Sequence, residues 1–82
     1  MSYRLYSTDG CHLCEQAYDI LIREVGLAPD SLSVIDIAMD DSLVEQFGVY
    51  IPVLERAGTD DRLYWPFSAT EAAHFIQSSA SR

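Results

Sequence analysis

The stretch Tyr3-Arg4-Leu5-Tyr6-Ser7-Thr8-Asp9-Gly10-Cys11-His12-Leu13-Cys14-Glu15 decides how the rest of the chain is read. Its first five residues alternate Tyr3, Leu5 and Ser7 against Arg4 and Tyr6, and the aromatic content suits a β-strand. Thr8, Asp9 and Gly10 then bring turn chemistry. A helical pattern starts on Cys11 and Cys14, the only cysteines of the chain. The pair is therefore expected at the mouth of a strand-to-helix turn. Unpaired N–H groups and the macrodipole make that end of a helix positive and favour a thiolate. In such settings a cysteine pKa falls from about 8.5 to roughly 3.5–7.5, and the thiolate is the form that attacks disulfides. Asp9 acts in two directions here: it suits the capping position, and its charge opposes a neighbouring thiolate.

Downstream, Leu13, Ala17, Ile20, Leu21 and Val25 recur at helical spacing. Asp19 and Arg23 form an i, i+4 pair on the polar side. Gly26 suits the position just past a helix C-terminus, and Pro29 prevents the helix from resuming. Leu32 to Ile37 reads as a second strand with both faces largely buried. Strand, helix and strand make a βαβ unit with parallel strands and a right-handed crossover.

Asp40, Asp41 and Ser42 offer caps, and Ser42 with Glu45 fits a capping box for a short helix carrying Leu43, Val44 and Phe47 and closed by Gly48. Val49 to Arg56 holds the third strand, with Pro52 at or near its start, where a missing N–H is tolerated. A turn at Ala57 to Asp60 leads into a fourth strand, Arg62 to Trp65, antiparallel to the third and stopped by Pro66. Ser68 and Glu71 form a second capping box. The last helix carries Ala69, Ala72, Ala73, Phe75 and Ile76, and residues 78–82 are expected to fray. The order β-α-β-α-β-β-α predicts an α/β fold, one domain over residues 1–82, in which helices cover both faces of a four-stranded mixed sheet.

Composition narrows the function. The chain has 82 residues and 49% hydrophobic content, enough for one small core. Five basic against thirteen acidic residues give a net charge of −8, and lysine is absent. Nucleic acid and anionic membranes are poor partners for such a surface. The charge serves solubility, or selects basic partners. No apolar run nears the roughly 20 residues that span a bilayer, and the N-terminal residues lack a signal-peptide pattern. A cytoplasmic location is expected, where a lone C-x-x-C is catalytic or metal-binding rather than a structural staple.

These features together resemble the glutaredoxin-like branch of the thioredoxin superfamily, over roughly Tyr3 to Gln77. The resemblance rests on the C-x-x-C at the first strand–helix turn, on Ile51-Pro52 ahead of the third strand, and on the similarity of Tyr6 to Cys14 to a glutaredoxin active-site stretch. The chain is more closely similar to short, mostly bacterial glutaredoxin-like proteins of unassigned role. The resemblance implies a thioredoxin-like fold and dithiol exchange with a protein or small-molecule disulfide. Cys11 would be the nucleophile and Cys14 the resolving thiol. Pro52 would be a cis-proline facing them, and Ile51 would offer backbone groups to the substrate. A thiol reductant would regenerate the pair, and a monomer would suffice.

The sequence departs from glutaredoxins in carrying His12 and Leu13 where proline and an aromatic residue usually stand. Thr8-Asp9 replaces a basic approach to the site, and Trp65-Pro66-Phe67-Ser68 replaces a Gly-Gly and aspartate segment. These departures argue against a dedicated glutathione site, so glutathione is at most a co-substrate and no bound cofactor is expected. A charged His12 would favour the Cys11 thiolate; otherwise it is an exposed helix-start residue. Tyr6 and Leu13 are expected to pack, each with an edge near the site, and His74 to lie on the surface. No metal is expected, because structural zinc sites pair two cysteine knuckles and only one is present. Glu15 after Cys14 excludes covalent haem attachment. Trp65-Pro66-Phe67 either staples the last helix to the sheet or presents an apolar patch. A second functional reading keeps the fold but uses the Cys11–Pro52 surface as a docking site, with thiols that are redox-silent or regulatory.

Overall fold

The computed structural model describes residues 2–78. Four strands form one sheet: β1 (Tyr3–Ser7), β2 (Leu32–Asp36), β3 (Val53–Arg56) and β4 (Arg62–Tyr64), in the order β2-β1-β3-β4. β2 runs parallel to β1, whereas β3 and β4 are antiparallel to their neighbours. The helices are α1 (His12–Asp19), α2 (Asp41–Phe47) and α3 (Ala69–Ser78). The chain is thus the expected α/β thioredoxin-like arrangement. No helix among the described residues is long and apolar enough to cross a membrane. The expected frayed tail lies, from residue 79 on, outside the described residues.

Neighbouring residues of a strand point to opposite faces, so β1 and β3 feed two cores. Tyr3, Leu5 and Leu54 join Ala17, Leu21, Phe67 and Ala72 in one cluster, which seats α1 and α3. Tyr6 and Val53 join Ile37 and Phe47 in the other, which seats α2. There the Tyr6 and Phe47 rings stack with centroids 4.4 Å apart. Burying each large side chain contributes about 1.5–3 kcal/mol. The same face holds a polar cluster, in which Arg62 lies over the Phe47 ring of α2 at 5.2 Å. Glu55, only 4% exposed, accepts from the Tyr6 hydroxyl at 2.7 Å, from Arg62 Nε at 2.8 Å and from Arg4 Nη1 at 3.3 Å. A buried carboxylate is stable only when hydrogen-bonded in this way.

Several local expectations are corrected. The first helix does not stay α-helical to Val25: a π turn follows at Ile20–Glu24, closed by Val25 N–H on the Ile20 carbonyl at 2.9 Å. The wider turn keeps Leu21 fully buried and lays Ile22 and Val25 against the same cluster. Gly26, at φ +82°, then takes the left-handed conformation expected of it. β2 is not buried on both faces: it is a sheet edge, and Ser33 and Val34 are exposed. Asp40, not Ser42, caps α2, accepting Ser42 N–H at 2.9 Å and the Ser42 hydroxyl at 2.7 Å. The residue just outside the helix aims its carboxylate at the free N–H groups, whereas Ser42 already lies within the first turn. The second capping box forms as expected: Ser68 N–H donates to Glu71 Oε1 at 3.0 Å, and Glu71 N–H to Ser68 Oγ at 3.1 Å.

The aromatic segment after β4 is a staple. Phe67 is buried in the α1–α3 cluster, Trp65 packs against it, and their rings meet edge to face at 5.0 Å. The Trp65–Pro66 and Ile51–Pro52 peptide bonds are both cis.

Candidate functional site

The site begins where β1 ends. Gly10 turns the chain at φ +73°, and Cys11 N–H donates to the Thr8 carbonyl at 3.3 Å. Cys11 is the residue immediately outside α1, so its sulfur, rather than the Asp9 carboxylate, takes the capping position. Its Sγ accepts the Cys14 N–H at 3.2 Å. Cys11 and Cys14 are joined in a disulfide across a Cα–Cα distance of 5.2 Å. The two sulfurs are placed unequally. Cys14, one turn into α1, is buried at 4% exposure, whereas Cys11 is partly exposed. Helical geometry accounts for this: Cys14 and Ala17 share the inward face, and Cys11 stands at the open end.

A cavity of about 360 Å³ opens beside the disulfide. Cys11 and Cys14 form one wall, Leu5 and Val34 from the sheet another, and Tyr18 closes part of the rim. Its polar wall is acidic, with Asp9, Glu15 and Asp19. Val34 reaches the cavity because β2 is an edge strand.

Ile51 and Pro52 do not line this cavity. They precede β3, whose Val53 pairs with Tyr6, so they sit at the end of the sheet where β1 turns into Cys11. Pro52 is fully buried, and its carbonyl accepts Trp65 N–H at 3.2 Å. Ile51 N–H is already bonded to the Phe47 carbonyl at 3.1 Å, which leaves the Ile51 carbonyl as the group to present. His12, the first residue of α1, is exposed and also lies outside the cavity lining. Leu13 does not pack as expected but is 46% exposed beside the pair; Tyr6 is buried on the α2 face. His74 lies on α3 over a separate hollow with Leu63 and Phe75, away from the cysteines. No group of three or more metal-ligating side chains forms among the described residues.

Tyr18, Val34 and Asp19 are site residues that sequence reasoning missed. Asp19 and Tyr18 fall one turn after Cys14 and Glu15 on the same helix, a spacing that carried the signal. Val34 carried none, because strand order is not written in a single strand.

The glutaredoxin-like domain (DUF836) matches residues 3–77. Among solved structures, the crystal structure of the structural-genomics target XcR50 from X. campestris is 28% identical, with a TM-score of 0.82 over 94% of this chain and 97% of that one. Its solution structure gives 29% and 0.80 over 95% of both chains. Thioredoxin 1 from Thermosipho africanus TCF52B shares the fold, at 21% identity and a TM-score of 0.68 over 99% of this chain and 96% of that one. No curated protein matches the chain.

Proposed function

The chain belongs to the glutaredoxin-like domain family, and on that premise we propose that Cys11 and Cys14 are the redox centre of a thiol–disulfide oxidoreductase. The observation that carries this reading is the inequality of the two sulfurs at one helix start: Cys11 partly exposed against a cavity, Cys14 buried behind it. Exchange needs this division between a sulfur that meets substrate and one that does not.

In the reduced protein the Cys11 thiolate attacks a substrate disulfide. A Cys11–substrate bond forms, the substrate S–S bond breaks, and the departing thiolate takes up a proton. Cys14 then loses its proton and attacks Cys11 Sγ, which releases the second substrate thiol. The substrate gains two electrons, and the cysteines end in the disulfide state seen here. An external thiol reductant resets the pair, as a cytoplasmic setting would supply. The Cys14 N–H and the positive end of α1 already face Cys11 Sγ, and both favour charge on that sulfur. On this reading His12 and the Ile51 carbonyl contact the part of a substrate that lies outside the cavity, and Pro52 holds the backbone next to Ile51. Glutathione enters, if at all, as a co-substrate.

The test is trapping. Reduced wild type should reduce a small disulfide with one protein disulfide formed per substrate. Cys11→Ser should lose this reaction, and Cys14→Ser should accumulate a mixed disulfide on Cys11, seen as a mass increase. Full activity in Cys11→Ser would remove the proposal.

A second reading draws on one observation. Tyr50 and Tyr64 are exposed, their rings meet edge to face at 5.5 Å, and Tyr50 directly precedes Ile51-Pro52 in the chain. Such a surface suits a protein-docking module whose thiols are silent or regulatory. Ordinary reactivity of Cys11 would favour it.

A further inference from the structure

The cavity beside the disulfide carries a charge pattern that points to a class of substrate. Asp9 lies just before the cysteine turn, and Glu15 and Asp19 follow on α1, so three carboxylates share one small opening with Cys11 and Cys14. Among the described residues, neither Asp9 nor Glu15 has a basic partner. Asp19 faces Arg23 at 3.7 Å, but those side chains are 62% and 80% exposed, and so open a pair binds weakly. The remaining described arginines are engaged on the sheet: Arg4 and Arg62 with Glu55, and Arg56 with Asp61. The chain carries a net charge of −8, and nothing in the cavity wall offsets its local share. All three carboxylates are exposed, so their pull on a cation is the kind of surface attraction that added salt screens.

We propose that this cavity selects low-molecular-weight disulfides bearing an amine close to the sulfur, and rejects anionic disulfides such as glutathione disulfide, with Asp9, Glu15 and Asp19 as the specificity-determining residues. The proposal rests on the redox reading above and specifies its substrate. About 360 Å³ is the size of a small-molecule pocket. An ammonium group in the cavity meets carboxylates while its disulfide meets Cys11. Glutathione disulfide is anionic overall and would bring its carboxylates against them. Bond making and breaking are those already written: Cys11 bonds to one substrate sulfur, Cys14 displaces it, and two aminothiols leave.

The test uses reduced full-length protein in single turnover with three disulfides: cationic cystamine, neutral hydroxyethyl disulfide and anionic glutathione disulfide. Each rate is divided by that of the same disulfide with dithiothreitol, which cancels intrinsic reactivity. At low salt, cystamine should be fastest and glutathione disulfide slowest, over a span of roughly tenfold or more. The span should shrink as added salt shortens the screening length to a few ångströms. It should collapse in Asp9→Asn/Glu15→Gln/Asp19→Asn and persist in Asp30→Asn/Glu45→Gln, which alters carboxylates outside the cavity. Because removing charge near Cys11 alters its reactivity toward all three substrates, the ratio is the readout. Equal normalised rates, a preference for glutathione disulfide, or a span that survives the triple variant would overturn the inference. If the neutral disulfide is reduced but charge makes no difference, the selectivity fails and the redox reading stands. If reduced protein leaves even the neutral disulfide intact, both fall.

Discussion

Cys11 holds two positions with one sulfur: it caps α1 and it faces the cavity. Substitutions can separate these roles. Serine is a good cap and alanine is not, so Cys11→Ser and Cys11→Ala should both lose disulfide exchange. Compared after reduction, Cys11→Ala should be less stable than Cys11→Ser by about 0.5–2 kcal/mol, measured by urea unfolding. Equal stabilities would mean that the cap contributes nothing. Tyr6 makes a second prediction at this scale. Its burial first, and then its hydrogen bond to the Glu55 carboxylate, raise the phenol above its ordinary value of 10.0, while Arg4 opposes the rise. The unfolded chain therefore releases this proton before the folded one does. The stabilisation is whole below pH 10 and is lost as pH rises from there through the folded value. Tyr6→Phe should lower stability near neutrality, because a buried carboxylate loses a donor, yet flatten the alkaline fall in melting temperature. A fall as steep as that of wild type would contradict the assignment.

Elements were legible in the sequence where a local chemical reason fixed them. Ser68 and Glu71 close their capping box as spaced, and Ser68→Ala should cost about 0.5–2 kcal/mol in chemical denaturation. Gly26 ends the first helical segment by its left-handed φ. What was not legible depended on tertiary packing. The π turn at Ile20–Glu24 adjusts helix to sheet so that Leu21 stays buried, and the sequence repeats there as an ordinary helix would. The edge position of β2 follows from strand order, which the run of Val34, Ile35 and Ile37 does not reveal. The polar cluster of Glu55 likewise joins residues from β1, β3 and β4, and no single segment announces it. Leu21 and Phe47 anchor the two cores, so Leu21→Ala should cost about 2–5 kcal/mol and Phe47→Ala about 3–5 kcal/mol. Those losses are large beside a total stability of roughly 5–15 kcal/mol.

At the scale of the molecule, the fold holds the cysteine pair without depending on it. Both core clusters are built from strands and helices, with neither sulfur as a member, and the disulfide spans a sequence separation of only 3. So short a loop constrains the unfolded chain by only about 2 kcal/mol. Reduction should therefore leave the far-ultraviolet dichroism unchanged and lower the melting temperature by about 8–16 °C, at about 4–8 °C per kcal/mol for a domain of this size. The cysteines, the turn before them and Ile51-Pro52 could be found by motif, because their chemistry is local. The acidic cavity could not, since it is assembled from a turn, a helix face and the edge strand. The central claim is that this scaffold makes Cys11 the attacking sulfur and Cys14 the resolver. It is tested most directly by the alkylation rate of each cysteine in the reduced protein, assigned by mass spectrometry. Cys11 should be modified much faster than Cys14. Equal rates, or a faster Cys14, would contradict the account.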